Sequence, residues 1–178
     1  MPAKSKKSTV EVDGRRLAIS NLDKVLYPET GFTKGEVIDY YARVAEVLLP
    51  HLESRPISFK RFPDGVAGEG FFAKNAPRGT PEWVRTVRLP VPGSSMNRET
   101  IDYVVIDDLP TLIWAANLAA LELHVPQWTV GPRGAVREAN LLVLDLDRRL
   151  HRLRRHRGIM PGRAGGRHAG GRPEGTQT

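Results

Sequence analysis

The sequence predicts an α+β fold, a mainly antiparallel or mixed sheet with packed helices. Two observations lead to this class: short β-type segments recur between turns that contain glycine or proline, and two longer segments place apolar residues at helical intervals. The chain has 178 residues, of which 40% are hydrophobic, which is enough for one real core but not for two large ones. We therefore expect one domain, over residues 10–147, in which strands and helices share a single core.

A β-hairpin is expected directly after a polar, disordered lead of residues 1–9. Two β-type segments, residues 10–12 and 17–19, flank Asp13 and Gly14. Asp-Gly is a dipeptide that readily takes the positive φ angles of a tight two-residue turn. The pattern therefore predicts that the two segments pair.

The first helix is predicted to begin at Thr33. Thr33 and Glu36 have the spacing of a capping box, in which each side chain bonds the backbone N–H of the other residue. Apolar residues then recur at helical intervals until Pro50, namely Val37, Ile38, Tyr41, Val44, Val47 and Leu48.

Four β-type segments follow this helix, at residues 57–62, 71–74, 84–91 and 101–106. Asp108 can then cap a second helix that has Pro110 in its first turn. The buried stripe of this second helix is predicted to contain Leu112, Ile113, Ala116, Ala119, Ala120 and Leu123. The three tryptophans, Trp83, Trp114 and Trp128, are assigned to packing.

Residues 141–147 are predicted to form a buried strand that carries two carboxylates. Alternation along a strand would place Asp145 and Asp147 on one face and the intervening leucines on the other. Two converging carboxylates are costly to bury unless cations neutralise them, and their hard oxygen atoms suit Mg²⁺ or Mn²⁺. The alternative is a strand that simply ends in two solvated acids.

The basic charge of the chain is concentrated in its last 31 residues. Residues 148–178 hold nine arginines and one acid, Glu174, so the remainder of a chain with a formal charge of +7 is close to neutral. Apolar periodicity also vanishes at Arg148, and we expect the tail to be disordered. It is either a basic tether for nucleic acid or sequence foreign to the domain, as a truncation or a shifted reading frame would produce.

Several classes of protein are excluded by composition. The chain has no cysteine, which excludes disulfides and cysteine-based zinc sites. No apolar stretch near the N-terminus has the form of a signal peptide, and no segment is long and apolar enough for a membrane helix. We therefore expect a cytoplasmic protein that does not bind membranes.

Seven short motifs, in this order, make the chain resemble the polymerase domain of bacterial DNA ligase D, a member of the archaeo-eukaryotic primase-like superfamily. The motifs span residues 20–28, 33–35, 55–61, 71–74, 114–117, 122–124 and 144–147. The resemblance implies a primase-polymerase-like core that fills or extends broken DNA ends in non-homologous end joining. It also implies Mn²⁺ or Mg²⁺ as cofactor, NTP or dNTP as substrate, Ku and a ligase module as partners, and a bacterial, nucleoid-associated location.

By this resemblance, Asp145 and Asp147 match two of the three metal-binding aspartates of the family. The third lies farther along in the family, where this chain offers only Glu174, and the Pro-Gly that follows the aspartates is replaced here by Arg148 and Arg149. We therefore expect an incomplete copy of the domain, with an incomplete two-metal site.

Two further residues match the nucleotide site of the family. His124 corresponds to the histidine that contacts the phosphates of the incoming nucleotide, and Lys60 to a lysine of the same site. Taken alone, His124 would be a structural hydrogen-bonding group at a helix end, and Lys60 a strand lysine that faces water.

The remaining matches concern the DNA end. Asn21, Lys24 and Lys34 correspond to a pocket for the 5′ phosphate, and a phosphate bound at the helix terminus would offset the unfavourable position of Lys34 in the first turn. Phe71 and Phe72 correspond to aromatic residues that stack on template bases. Without the resemblance, the two lysines are ordinary surface charges, and one of two adjacent strand phenylalanines belongs to the core.

Three readings follow for the whole chain. The leading one is a nucleotidyltransferase of end joining, and the alternative is a non-catalytic module that binds 5′-phosphorylated DNA ends. The third is a poorly folded remnant without activity.

Overall fold

This computed structural model describes residues 7–91 and 99–144. These ranges contain two helices and eleven short strands. Every strand pair in these ranges is antiparallel, so the predicted α+β class is confirmed. The elements are β1 Lys7–Val12, β2 Arg15–Ser20, β3 Val25–Tyr27, β4 Phe32–Thr33, α1 Lys34–Leu52, β5 Pro56–Arg61, β6 Phe71–Ala73, β7 Thr86–Pro90, β8 Thr100–Val105, α2 Leu109–Asn117, β9 Ala120–His124, β10 Trp128–Val130 and β11 Val136–Ala139.

The predicted N-terminal hairpin forms between β1 and β2. Val12 pairs with Arg15 across a two-residue turn in which Asp13 has a φ of 46° and Gly14 a φ of 73°. Both angles lie in the left-handed region that this turn requires. The first strand begins at Lys7, three residues before the apolar alternation that predicted it.

Helix α1 begins at the predicted capping box and ends later than predicted. The side chain of Thr33 accepts from the N–H of Glu36, and that of Glu36 accepts from the N–H of Thr33. The helix continues through Pro50 to Leu52, and the missing N–H of the proline removes one hydrogen bond from its last part. Val47, which was assigned to the apolar stripe, is 70% exposed.

The central sheet is organised around β5, which pairs with β6, β8 and β9. Alternate side chains of β5 face the helices. Ile57 and Phe59 are buried in the main core, where Phe59 packs edge-on against Trp114 of α2. Trp83 packs against the same core and Trp128 against a smaller one, so the assignment of the tryptophans to packing is confirmed.

The second helix is shorter than predicted. Asp108 caps it through the N–H of Thr111, as expected, but the helix ends at Asn117. Ala119 then takes a left-handed φ of 55°, and residues 120–124 form β9 against β5. The helical assignment of Ala119, Ala120 and Leu123 was therefore wrong, although Ala119 and Ala120 are buried as predicted. An open edge of β5 offers backbone hydrogen bonds that outweigh a helical side-chain pattern.

The predicted buried strand over residues 141–147 is wrong for the part that the structure describes. Residues 141–144 are in no strand, and Leu142 and Leu144 are 77% and 72% exposed. An apolar run shows only that burial would be favourable, and it does not specify a partner strand. Asp145, Asp147 and the whole basic tail lie outside the described residues.

By its internal contacts the chain divides into Met1–Val143, which holds all eleven strands and both helices, and Leu144–Thr178, of which only Leu144 is described. Neither α1 nor α2, the two helices in the described ranges, is long and apolar enough to cross a membrane.

Candidate nucleotide and DNA-end site

A basic cavity of about 310 Å³ lies between the end of β2, the start of α1 and the end of β5. We call it the phosphate pocket. Its lining includes all three residues that the resemblance assigned to a 5′ phosphate, Asn21, Lys24 and Lys34. Its other lining residues are Ser20, Leu26, Arg61, Pro63, Asn117, Leu118 and Ala119.

The segment from Asn21 to Lys24 wraps around the start of α1. Asn21 has a φ of 55°, which reverses the chain after β2 and brings the carbonyl groups of Leu22 and Lys24 to the helix. These carbonyls accept from the N–H groups of Gly35 and Lys34, at 2.9 and 2.8 Å. These two N–H groups are therefore already satisfied, so a phosphate at this helix terminus would be bound by side chains rather than by them.

Lys34 is a buried lysine and not an ordinary surface charge. It is only 6% exposed, and its Nζ donates to the carbonyl of Ser20 at 2.6 Å. Burial, followed by the nearby charges of Lys24 and Arg61, lowers the pKa of Lys34 to about 8. An anion in the pocket would relieve this electrostatic cost.

Lys24 reaches the pocket but is held by an acid from a neighbouring loop. Its Nζ lies 2.7 Å from Oδ1 of Asp64, whose side chain is 80% exposed. This loop is tied down beside the pocket, because the N–H of Val66 donates to the carbonyl of Leu26 at 2.8 Å. An anion that binds Lys24 must therefore compete with the carboxylate of Asp64.

Arg61 is a third cation of the phosphate pocket, and the sequence did not single it out. Its Nε donates to the carbonyl of Leu118 at 2.9 Å, and its burial lowers the pKa of the guanidinium. The signal was its position directly after Lys60 in a strand, which places the two side chains on opposite faces of the sheet. Only the fold shows that the sheet face on which Arg61 lies is next to the loop that carries Lys24.

The opposite face of β5 carries a second group of charges, formed by Lys60, Glu122 and His124. We call it the Lys60 cluster. Lys60 pairs directly with Glu122 in the register of β5 and β9, and its Nζ lies 2.8 Å from Oε1 of that residue. The other carboxylate oxygen lies 2.8 Å from Nε2 of His124. Hydrogen bonds from Lys60 and then His124 lower the pKa of Glu122.

His124 lies at the end of strand β9 and not at a helix end. Its ring is also in edge contact with Phe72, with 5.2 Å between ring centroids. Lys60 lies over the same phenylalanine at 5.9 Å from the ring centroid. The structure thus brings together Lys60 and His124, the two residues that the resemblance assigned to the nucleotide.

Phe71 and Phe72 point to opposite faces of the short edge strand β6, and neither belongs to the core. They are 46% and 58% exposed, so the expectation that at least one is buried was wrong. Phe72 is the direct partner of Lys60 in the sheet, and Phe71 that of Arg61. Because β6 is only three residues long and at the edge, no helix in the described ranges covers either ring.

An apolar cavity of about 380 Å³ adjoins the Lys60 cluster. It is lined by Ser58 and His124 together with Tyr103, Trp128 and other apolar residues of β7, β8, β10 and β11. A flat aromatic or sugar group held next to His124 would find apolar surface there.

The described residues contain no group of three or more histidine, aspartate or glutamate side chains that could hold a metal ion. The two predicted metal ligands, Asp145 and Asp147, lie outside the described ranges, so the metal assignment stays a prediction from the sequence.

The chain matches the family described as LigD, primase-polymerase domain, over residues 33–152. It is 43% identical over 135 residues to the multifunctional non-homologous end joining protein LigD of Mycolicibacterium smegmatis, covering 74% of this chain and 16% of that protein. It is 36% identical over 132 residues to the bifunctional LigD of Bacillus subtilis, covering 74% of this chain and 20% of that protein. The chain thus spans a fifth or less of these two relatives.

Among solved structures, the chain is similar to the polymerase domain of Mycobacterium tuberculosis ligase D in complex with DNA. The TM-score is 0.61 at 42% sequence identity, and the likeness covers 68% of this chain and 42% of that one.

Proposed function

Because the chain belongs to the LigD primase-polymerase domain family, we propose that it is a nucleotidyltransferase that fills or extends DNA ends in bacterial non-homologous end joining. Its substrates are a DNA end with a 5′ phosphate across a gap and an NTP or dNTP. The observation that supports this most directly is the position of the phosphate pocket and the Lys60 cluster on opposite faces of β5. Two separate phosphate-bearing substrates need two such sites.

The phosphate pocket recognises the DNA end in this proposal, through Asn21, Lys24 and Lys34. A terminal phosphate carries more negative charge than an internal diester, and charge-assisted hydrogen bonds from two ammonium groups favour the more charged species. The burial of Lys34 supports this role, since burial and the charges of Lys24 and Arg61 lower its pKa, and a bound anion would offset both effects. The pocket would distinguish a break from continuous DNA without reading its sequence.

The Lys60 cluster binds the incoming nucleotide. Lys60 and His124 would donate to the triphosphate, and Glu122 would hold both donors in position through its two carboxylate oxygens. The transferred nucleotide is joined to a 3′ hydroxyl, and pyrophosphate leaves. The adjoining apolar cavity is suited to the sugar or base of that nucleotide.

Phe71 and Phe72 stack on bases near the break. Both rings are exposed on an edge strand and so are accessible to bases, and base stacking is tolerant of sequence, as an enzyme of end joining requires.

Mn²⁺ or Mg²⁺ is the proposed cofactor, with Asp145 and Asp147 as its ligands. Carboxylate oxygens suit these ions, and a bound ion would polarise the triphosphate. Ku and a ligase module are the proposed protein partners, and the nucleoid of a bacterial cytoplasm the proposed location, all three on the ground of family membership.

A non-catalytic binder of 5′-phosphorylated DNA ends is the second candidate. It is favoured by one observation: the phosphate pocket, with Asn21, Lys24 and Lys34 in its lining, is assembled within the described residues. This candidate needs the pocket and the two phenylalanines but not the Lys60 cluster.

Two assays on the whole chain separate the candidates. One is Mn²⁺-dependent nucleotide addition to a gapped duplex, and the other is binding to that duplex with and without its 5′ phosphate. We expect addition, tighter binding of the phosphorylated duplex, and loss of this preference in Lys24→Ala. The exposed Lys7, on β1, gives the matched control Lys7→Ala.

Binding without nucleotide addition would reject the enzyme in favour of the end binder. Equal affinity for the two duplexes, or an unchanged preference in Lys24→Ala, would reject the phosphate pocket in both candidates. If the chain shows no binding and no cooperative thermal unfolding, only the inactive remnant remains as a reading.

A further inference from the structure

We propose that Arg61 is a third phosphate-binding cation and that it couples the phosphate pocket to base stacking on Phe71. The inference rests on the proposed function, because it assumes that the pocket takes a terminal phosphate. It adds a residue and a coupling that the family motifs do not assign.

The backbone fixes Arg61 in a position to bind an anion. Its Nε is anchored by the carbonyl of Leu118, at the end of α2, and the guanidinium lines the same cavity as Lys24 and Lys34. Within the described residues, its four terminal N–H groups make no further hydrogen bond or ion pair. An anchored guanidinium with free donors can bind a phosphate at two oxygens, at little cost in side-chain entropy.

The charge balance of the pocket favours a dianion. Lys24, Lys34 and Arg61 contribute three positive charges, and Asp64, at Lys24, is the acid paired with them in the described residues. The charge of Arg61 is felt by its neighbour, since it contributes to the lowered pKa of Lys34. A phosphate monoester carries nearly the two negative charges that remain uncompensated.

Arg61 also reaches the aromatic pair. Its Cζ lies 5.4 Å from the centroid of the Phe71 ring, within cation–π distance, and the two residues are direct partners across β5 and β6. The guanidinium therefore lines the phosphate pocket and also lies over the stacking ring. A phosphate that orders the guanidinium also orders the ring on which the adjacent base stacks.

The test measures the phosphate preference, defined as the Kd for the unphosphorylated gapped duplex divided by that for the phosphorylated one. We expect Arg61→Gln to lower this preference about tenfold, because the binding free energy of one charge-assisted hydrogen bond corresponds to a change of that size in Kd. Arg43→Gln is the matched control, because Arg43 is an exposed arginine on α1 that pairs with Asp39. Lys24→Ala is measured in parallel.

The coupling is tested with Phe71→Leu in two backgrounds. In the wild type, Phe71→Leu should lower the phosphate preference about threefold, which lies near the low end of the coupling energies found for residues in direct contact. In Arg61→Lys, which keeps the charge but not the fork or the Nε anchor, the same change should leave the preference unaltered. Arg61→Lys also serves if the thermal unfolding midpoint shows that Arg61→Gln does not fold.

The outcomes separate this inference from the function beneath it. If Lys24→Ala loses the preference while folded Arg61→Gln keeps it, Arg61 is no phosphate ligand and the pocket still stands. If Phe71→Leu has the same effect in both backgrounds, the coupling is wrong. A wild type that shows no preference rejects the phosphate pocket of the proposed function and this inference together.

Discussion

The Nζ of Lys60 lies 2.8 Å from Oε1 of Glu122, its direct partner across β5 and β9. The second oxygen of the same carboxylate lies 2.8 Å from Nε2 of His124. One acid therefore holds both residues that are proposed to contact the nucleotide. In the phosphate pocket, Asp64 holds one cation, Lys24, in a similar way.

Glu122→Ala should lower kcat/KM for nucleotide addition about tenfold. Without the carboxylate, Lys60 and His124 lose their shared acceptor and spread over several rotamers, and misplaced donors stabilise a transition state poorly. The thermal unfolding midpoint should change little, since the pair is half-exposed and surface ion pairs contribute little to stability. Steady-state kinetics and thermal unfolding are the two measurements.

The double variant Lys60→Ala/Glu122→Ala separates positioning from a general effect on charge. If Glu122 acts through Lys60, the two losses should not add. Fully additive losses would show that Glu122 acts independently of that lysine. The phosphate preference for the DNA end should stay unchanged in all three variants, because the phosphate pocket lies on the other face of β5.

Asp64→Asn should bind the phosphorylated duplex more tightly than the wild type does. The carboxylate of Asp64 competes with the phosphate for Lys24, and a surface pair of this kind is worth up to about 1 kcal/mol, or about fivefold in Kd. Binding by fluorescence anisotropy at fixed ionic strength measures this. Asp39→Asn, which removes the exposed partner of Arg43, is the control, and weaker binding in Asp64→Asn would show that this acid orients Lys24 for the phosphate.

The phosphate preference should fall as the pH rises through about 8. Lys34 has its pKa lowered to about 8 by burial and by the charges of Lys24 and Arg61, so its ammonium is present below that pH and is lost above it. The phosphate itself stays a dianion across this range, because its second pKa is about 6. Kd values for both duplexes at pH 7.5 and pH 9.5 give the measurement, and Lys34→Arg should show a flatter profile.

The same lysine affects folding stability with the opposite sign. Its folded pKa is depressed, so the charged form costs stability below pH 8, and this cost disappears as the pH rises toward the unfolded value of 10.5. Lys34→Met should therefore have a higher free energy of unfolding than the wild type near pH 7. This difference should shrink by pH 10. Chemical denaturation at the two pH values checks this, and a difference that does not depend on pH would contradict the lowered pKa.

Phe72→Leu should weaken DNA binding without weakening the fold. The ring is 58% exposed and contacts His124 and Lys60 at the surface, so its loss should change the free energy of unfolding by less than about 1 kcal/mol. Stacking on one base is worth about 1–3 kcal/mol, which corresponds to a Kd increase of at least about fivefold. Phe59→Leu, in the core, should show the reverse pattern, with lower stability and little direct effect on Kd.

Local chemistry made much of the fold predictable. The Asp13-Gly14 turn and the capping box of Thr33 and Glu36 each depend on residues close in sequence, and both formed as predicted. The strand β9 was missed because its formation depends on the open edge of β5, some sixty residues away. The pairing of the distant Lys60 and Glu122 was hidden for the same reason.

The candidate site was predictable only where the family motifs supplied it. Lys34 looked like a surface lysine in the sequence, since nothing local shows that Ser20 and Arg61 enclose it. Arg61 lies inside a matching motif, but only its position beside Phe71 in the fold indicates a role for it. Burial and long-range contact are properties of the assembled chain, and short motifs do not contain them.

Gly65→Ala should destabilise the protein more than Gly31→Ala does. Both glycines have a left-handed φ, of 85° and 73°, so each substitution carries a similar backbone strain of about 1 kcal/mol. A Cβ at Gly65 would lie 2.9 Å from the backbone carbonyl oxygen of Leu26, whereas one at Gly31 would meet nothing within 4 Å. The difference in unfolding free energy between the two variants isolates this clash.

The clash has a functional consequence, because Gly65 directly follows Asp64. The loop must shift away from Leu26 to admit the new Cβ, and it would carry the carboxylate away from Lys24. Gly65→Ala should therefore bind the phosphorylated duplex at least as tightly as Asp64→Asn, at a temperature where both variants are folded. Gly31→Ala, with the same φ strain but no such contact, should bind as the wild type does. If Gly65→Ala instead binds more weakly than the wild type, the loop stabilises the phosphate pocket rather than competing with its ligand.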